Sequence, residues 1–412
     1  MTEDLSFPST RTDALARLKS FLPKVPAYAG CRNEVVPGHP HVSRLSPALR
    51  VRLIREVEVA EAAQDAYGAS SEKFQQEVWW RLYWKGWLEQ RPTIWADYRR
   101  DLTTISQADR VRAERTVTGA SGVDLIDYFF RELEVTGYLH NHSRMWVAAY
   151  WIHELRLPWQ LGAEHFLKSL WDGDAASNTL SWRWVAGLHT KGKSYLARRS
   201  NLEKFVDPGL LAKHSGGLDR LETPEAYPVS YIEAPPPRGL SGATPATASD
   251  LVSRLRSLTD WGLWIHDEDL SVERSILGCL KPLSIRAYQP VVMTEKFTAG
   301  AAKYSFLLQA IFDGLDRAGT HFQAPANFIP TAISPAVLAD WARQDRLKHL
   351  VALHPFVGPL ADLLPSLEAA LARVSCELIL VRRDEDVRAM LPANGGFFGF
   401  WEKTKGLREP TV

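Results

Sequence analysis

The chain has 412 residues, 45% of them hydrophobic and 24% charged, with a formal net charge of +1. That length accommodates about two domains, and that balance describes a globular protein while excluding a global basic field for nucleic acid, though not a local patch. Cys31, Cys279 and Cys376 lie too far apart for a disulfide framework or a zinc site, and no apolar run reaches the ~20 residues of a membrane span. The opening MTEDLSFPSTRTDALARL carries acids and no apolar signal core, so a cytoplasmic monomer with no membrane partner is expected.

Residues 45 to 205 read as helices. The stretch EKFQQEVWWRLYWKGWLEQR places apolar residues at 74, 78, 79, 82 and 83, close to a 3.6-residue period. Two more helices are expected over 124–133 and 140–155, divided by Thr136-Gly137 and ended by Pro158. Another is expected over 162–171, followed by one that Asp174 caps. That cap puts Asp174, Asn178 and Trp182 on one helix face. Of the 15 tryptophans, 11 fall between Trp79 and Trp184. Indoles stack on flat rings and carry electron holes, and they also fill helical cores.

The stretch IEAPPPRGLSGATPATASD, residues 232–250, reads as a linker after a helical domain over 1–231. Beyond it, over 251–412, the pattern turns to α/β. GLWIH (262–266), IRAYQPVVM (285–293), LKHLVALHP (347–355) and CELILVRR (376–383) read as buried strands. Helical stretches near 300–318, 334–345 and 359–373 alternate with them, which predicts a Rossmann-like parallel, doubly wound sheet. The run Asp267-Glu268-Asp269 ends the first strand, where a ligand can sit, although a solvated turn uses the same residues. The closing GGFFGFWEKT is an apolar cluster expected to dock onto one of the domains.

GYLHNHSRMWVAAYW (137–151) followed by LWDGDAASNTLSWRW (170–184) resembles the flavin-binding heart of photolyases and cryptochromes. SRLSPAL (43–49), EVWWRLYW (77–84) and YAGCRN (28–33) agree with that family's upstream blocks in order and spacing. The resemblance implies an all-helical FAD-binding domain, here preceding rather than following the α/β domain, as in a circular permutation. A second, antenna chromophore is implied by the family alone and has no location in this sequence.

An isoalloxazine needs a flat dry slot and polar partners along one edge, and the pyrophosphate needs cations or helix N–H groups. Ser43 and Ser46 place hydroxyls before a helix starting near Pro47. By resemblance Arg144 and Asp172 form an ion pair beside the ring, Asp174 meets its polar edge and Asn178 faces its N5. Tyr138 and Asn141 border the cofactor, with Tyr28, Val42, Leu45, Phe74 and Glu77 completing its surroundings.

The resemblance also implies a cavity for a damaged base pair in DNA, lined by Glu77, Trp80, Met145 and Trp184. Glu77 hydrogen-bonds the cyclobutane pyrimidine dimer there and the two indoles clamp its faces, while Arg32 holds a backbone phosphate. His142 stands where the dimer-repairing branch commonly has arginine. Trp182 and Trp159 match the first two members of a tryptophan electron chain. No tryptophan falls near 101, where the third belongs, and Trp95 and Tyr98 are the nearest candidates.

Light-driven electron transfer from reduced FAD to the dimer is the reaction so implied. A blue-light sensor without repair is an alternative, as is a light-independent enzyme using His142 and Glu77 as acid–base groups on a small molecule. The histidines at 140, 142, 153 and 165 show no metal-ligand spacing, and HNH at 140–142 opens a helix rather than a nuclease frame.

Overall fold

The computed structural model describes residues 7–189, 193–230, 233–240, 253–290 and 300–408. They form two compact units, each drawn from separated parts of the chain. One comprises the described residues of Pro23–Arg44 and Arg91–Pro236, and the other those of Phe7–Leu22, Leu45–Gln90 and Pro237–Val412.

The first unit is helical. Asp124–Thr136 buries Leu125, Ile126, Phe129, Phe130 and Leu133 along one stripe, as its spacing requires. It stops at Gly137, whose left-handed φ of 65° returns an N–H to the Leu133 carbonyl at 2.8 Å. A side chain there has no room, since a Cβ would lie 2.0 Å from the Trp171 indole. Asn141–Ala149 continues as a wider π-helical turn over Tyr150–Glu154, short of Pro158. The next helix runs Trp159–Ser169, three residues earlier at its start than its periodicity predicts. Asp174 caps Ala175–Val185 as expected, accepting from the Ser177 N–H at 2.9 Å.

The second unit carries a five-stranded parallel sheet. Its strands are β1 Trp261–Ile265, β2 Ser284–Gln289, β3 Ala326–Ala332, β4 His349–Leu353 and β5 Glu377–Val381, in spatial order β3-β2-β1-β4-β5. That is the doubly wound arrangement, with the switch point between β1 and β4. Trp264, Tyr288, Leu350 and Ala352 pack with Leu338 and Trp341 of Pro335–Gln344 and Leu367 and Leu371 of Leu364–Ala372. Leu263, Ile285 and Ala287 alternate to the opposite face and are fully buried as well. Strand β3 has no sequence signature: it is a half-exposed edge strand holding Pro330, a residue that only an edge tolerates.

Helices Arg11–Phe21, Ser46–Arg50, Glu56–Tyr67 and Glu72–Glu89 belong to this same unit. They meet the sheet through buried charge. Asp267, Glu268 and Asp269 leave the C-terminal end of β1 and are not a solvated turn. Asp267 accepts from Arg50 at 2.5 Å, and Asp269 from Arg383 by two bonds of 2.8 Å and from Arg52 at 3.1 Å. Arg52 also forks onto Asp386 at 2.7 and 2.6 Å. Glu89 receives Arg382 at 2.5 Å and the Val357 N–H at 2.6 Å. The two aspartates at the C-terminal end of β1 are thus engaged by arginines of the same unit.

Removing one member strands a buried charge, which costs about 3–5 kcal/mol. Arg52→Met should therefore lower unfolding stability by that amount in urea titrations, because Asp269 and Asp386 lose their shared partner. Glu268 behaves differently. Burial outweighs Arg50 and pushes its carboxyl up to about 7, from an unperturbed 4.5. The fold thus holds an extra proton between those values and loses stability as pH rises through them. Asp269 and Asp386, held low by their arginines against burial, lose their contribution only as pH falls below the carboxylate range. Glu268→Gln should flatten the decline between pH 4.5 and 7 relative to the unmutated chain, as read from urea midpoints across that range.

Candidate functional site

In the helical unit, the segment Asp172-Gly173-Asp174 turns the chain from one helix into the next. Asp172 is 4% exposed and pairs with Arg144 at 2.9 Å. Arg144 also donates to the Leu139 carbonyl at 2.9 Å, and its guanidinium lies 5.4 Å from the centre of the Tyr138 ring. Burial raises the Tyr138 phenol well above its ordinary range, so it stays protonated. Arg144, Asp172 and Tyr138 are thus brought together.

One turn into Ala175–Val185, the Asn178 amide donates to the Ala163 carbonyl at 2.7 Å, which fixes its orientation. Trp182 follows a turn later with its ring over Gly162, where a Cβ would come within 2.2 Å. Asp174 is half-buried at the head of that helix. Acceptor, amide and indole therefore lie along one helix, on the face that the spacing predicts.

Asn141 and Met145 share a face of the neighbouring helix, with the amide 3.6 Å from the sulfur. His140 is a buried cap: Nδ1 accepts from the His142 N–H at 3.2 Å and Nε2 donates to the Arg32 carbonyl at 2.9 Å. Burial and neighbouring His39 push its pKa down to about 3, so it is neutral and committed to structure. His142 is held low by burial too, between the rings of Phe205 at 4.9 Å and Trp146 at 5.2 Å. Among the described residues no group of three or more His, Cys, Asp or Glu could hold a metal ion. Arg32 donates to Asn33 at 2.5 Å, Tyr28 opens a short half-exposed helix, and Val42 and Ser43 are partly buried. Trp184 is partly exposed, 5.7 Å from the Tyr195 ring.

The electron-chain residues separate into two groups. Trp159 stacks on Tyr98, with centroids 5.5 Å apart at 27°, and Tyr98 on Trp95 at 5.3 Å. All three are buried, Tyr98 to 1% exposure. Its hydroxyl has no hydrogen-bond partner among the described residues, and burial raises its pKa far above the ordinary phenol value. The ring neighbours of Trp182 are Phe166 at 5.1 Å and Trp151 at 6.3 Å.

In the sheet unit, Ser46 begins Ser46–Arg50 one residue before the expected Pro47, and Leu45 is buried. On Glu72–Glu89, Phe74 is a core residue with its ring 5.5 Å from Phe21, and Glu77 pairs with Lys73 at 3.1 Å. Trp80 lies nearly parallel to Phe397, with centroids 3.9 Å apart at 5°. Phe397 carried no sequence signal of its own beyond the apolar cluster around it.

A cavity of about 960 Å³ in the helical unit is lined by Asp127, Tyr128, Arg131, Glu132, Lys213 and His214 among others, and by none of the site residues expected from sequence. No helix among the described residues is long and apolar enough to cross a membrane.

Residues 74–208 match the FAD-binding domain of DNA photolyase. The chain is 38% identical over 150 residues to a deoxyribodipyrimidine photo-lyase of Streptomyces griseus, across 36% of this chain and 32% of that one. It is 34% identical over 189 residues to the deoxyribodipyrimidine photo-lyase of Thermus thermophilus, across 44% of each. A solved cryptochrome of Synechocystis superposes over 54% of this chain and 50% of its own, at 23% identity and a TM-score of 0.47. The chain spans less than half the length of these curated relatives. Over residues 74–208, the chain is similar to the photolyase/cryptochrome family.

Proposed function

We propose that this protein is a FAD-binding, photolyase-like flavoprotein that acts on cyclobutane pyrimidine dimers in DNA. The observation that carries the reading is the Arg144–Asp172 pair at the entrance to the helix bearing Asp174 and Asn178. The donor set suits a flat heteroaromatic ring with a polar edge: a carboxylate and an oriented amide beside a cation whose charge Asp172 balances. Arg144 is a quarter exposed while Asp172 is almost fully buried, so the guanidinium is the member of the pair able to face a ligand.

Reduced flavin, when bound, supplies the light-driven electron. The protein's own residues prepare its surroundings. Asp172 holds Arg144 in register, and the Ala163 carbonyl keeps the Asn178 carboxamide from rotating. Glu77, by its place in the E-x-x-W-R block, is the acceptor for a substrate N–H, and it pairs with Lys73 one turn earlier.

The resemblance passes an oxidising hole from Trp182 to Trp159, and from there the stacked rings of Tyr98 and Trp95 continue the route. It is a poor one. A tyrosine hole is stabilised by losing the phenolic proton, and the Tyr98 hydroxyl has no acceptor among the described residues. Trp95, only 2% exposed, gives the hole no wet surface on which to end. A light sensor that keeps the flavin without repair is the second reading, favoured by the Phe397 ring already lying on Trp80.

FAD-loaded, fully reduced protein should restore dimer-containing DNA under blue light; DNA left unchanged in that assay rules repair out. In the same preparations Arg144→Lys and Asp172→Asn should each lower FAD retention by about tenfold, as the loss of one charge-assisted contact implies. The ratio of flavin to protein absorbance reads this, with circular dichroism confirming the fold. Tyr98→Trp should speed photoreduction by an external reductant several-fold, and Trp159→Phe should slow it, both followed as bleaching of the flavin band.

A further inference from the structure

The C-terminal helix Phe397–Lys403 lies on Glu72–Glu89, within the sheet unit and outside the stretch that matches the flavin-binding domain. Two of its aromatic residues are anchors. Phe400 and Trp401 are buried against Trp79 with centroids 6.0 and 6.3 Å away, and the Arg408 guanidinium lies 3.2 Å over the Trp401 ring. Phe397 does something else. It covers a face of Trp80 at the spacing and angle of a stacked base, and the edge of Tyr83 closes on it at 5.7 Å and 89°.

A phenyl ring is a six-membered flat ring, as a pyrimidine is. Trp80 is one of the two indoles to which the family resemblance gives a stacking role toward the dimer, and the inference rests on the dimer-binding function proposed above. A ring 3.9 Å from the indole at 5° leaves no space for another on the same side. Its remaining ring neighbours in this unit, Trp84 at 5.2 Å and 40° and Tyr83 at 5.3 Å and 88°, are tilted and edge-on.

We propose that Phe397 is a built-in competitor for Trp80, standing where a pyrimidine of the substrate strand stacks, and that it sets which ligands this side of the site accepts. The helix allows the exchange locally. Phe397 is its first residue, preceded by Gly395 and Gly396, around which a Cβ would meet nothing within 4 Å. The first turn can therefore unwind while Phe400 and Trp401 keep the rest in place. The Tyr83 hydroxyl, donating to the Gly395 carbonyl at 2.8 Å, is the contact that closes the turn again.

The test uses the full chain with its FAD content measured by absorbance. Fluorescence anisotropy gives its affinity for a single-stranded oligonucleotide carrying one cyclobutane pyrimidine dimer and for the unmodified strand. Phe397→Ala should bind the dimer strand about tenfold more tightly, the scale of one base stacked on an aromatic side chain. Phe397→Leu, which keeps apolar bulk but not the flat ring, should show a gain in the same direction, and this guards against a loosened helix. Adding Trp80→Ala to either variant should erase the gain, while Phe398→Ser, at a ring already 71% exposed, should change nothing.

No gain in either Phe397 variant, or a gain that survives loss of Trp80, overturns the proposal. If the wild-type chain repairs dimers with the same KM as Phe397→Ala, the repair reading stands and the competitor falls. If no variant distinguishes the dimer strand from the unmodified one, yet Phe397→Ala binds both more tightly in a Trp80-dependent way, the competitor stands and the repair reading falls.

Discussion

The sheet unit depends on Arg52. Its guanidinium is 2% exposed and reaches Asp269 after β1 and Asp386 after β5, so one side chain joins a helical connection to two strand ends. Arg383 then satisfies Asp269 from the other side and also donates to the Ser271 carbonyl at 2.8 Å. Burying so many charges repays desolvation only when nearly every donor has an acceptor. This constraint fixes the loops after β1 and β5 and the approach of Glu72–Glu89, whose Glu89 is gripped by Arg382 and the Val357 N–H. The helix that carries Glu77 and Trp80 is thereby held at its C-terminal end by the sheet.

In the helical unit the organising contact is smaller and serves a different purpose. Arg144 and Asp172 connect the start of one helix to the turn before another, and Gly137 lets Trp171 close over the join. The same turn delivers Asp174 and Asn178. His140 and His142 have lowered pKa values through burial and are spent on capping and ring packing, so the polar chemistry is left to carboxylate, amide and guanidinium. This suits a site that grips and orients more than one that shuttles protons.

Much of this was legible in the residues. The periodicity of 124–149, the glycine at 137 and the cap at Asp174 are local signals, and local signals predict local structure. The alternation of strands and helices after residue 251 likewise foretells a parallel sheet. What sequence could not convey is distance. Asp267, Glu268 and Asp269 look like a solvated turn because their cations, Arg50, Arg52 and Arg383, lie far away along the chain. Strand β3 hides behind Pro330 and its half-polar exposure. The ring on which Trp80 rests comes from the opposite end of the chain. Tyr98 was a nearby candidate for the third electron carrier, but only the fold shows it stacked on Trp159 with a dry hydroxyl.

Arg52 and Asp386 stand 334 positions apart along the polypeptide, yet their two hydrogen bonds are among the shortest in the sheet unit. During synthesis the arginines of the first helices of that unit stay hydrated until the segment after β5 has emerged. A nascent protein of this kind closes late and all at once, through contacts of very high sequence separation. Truncation within β5 or the helix after it would accordingly unsettle the segment around Arg52, far upstream along the chain.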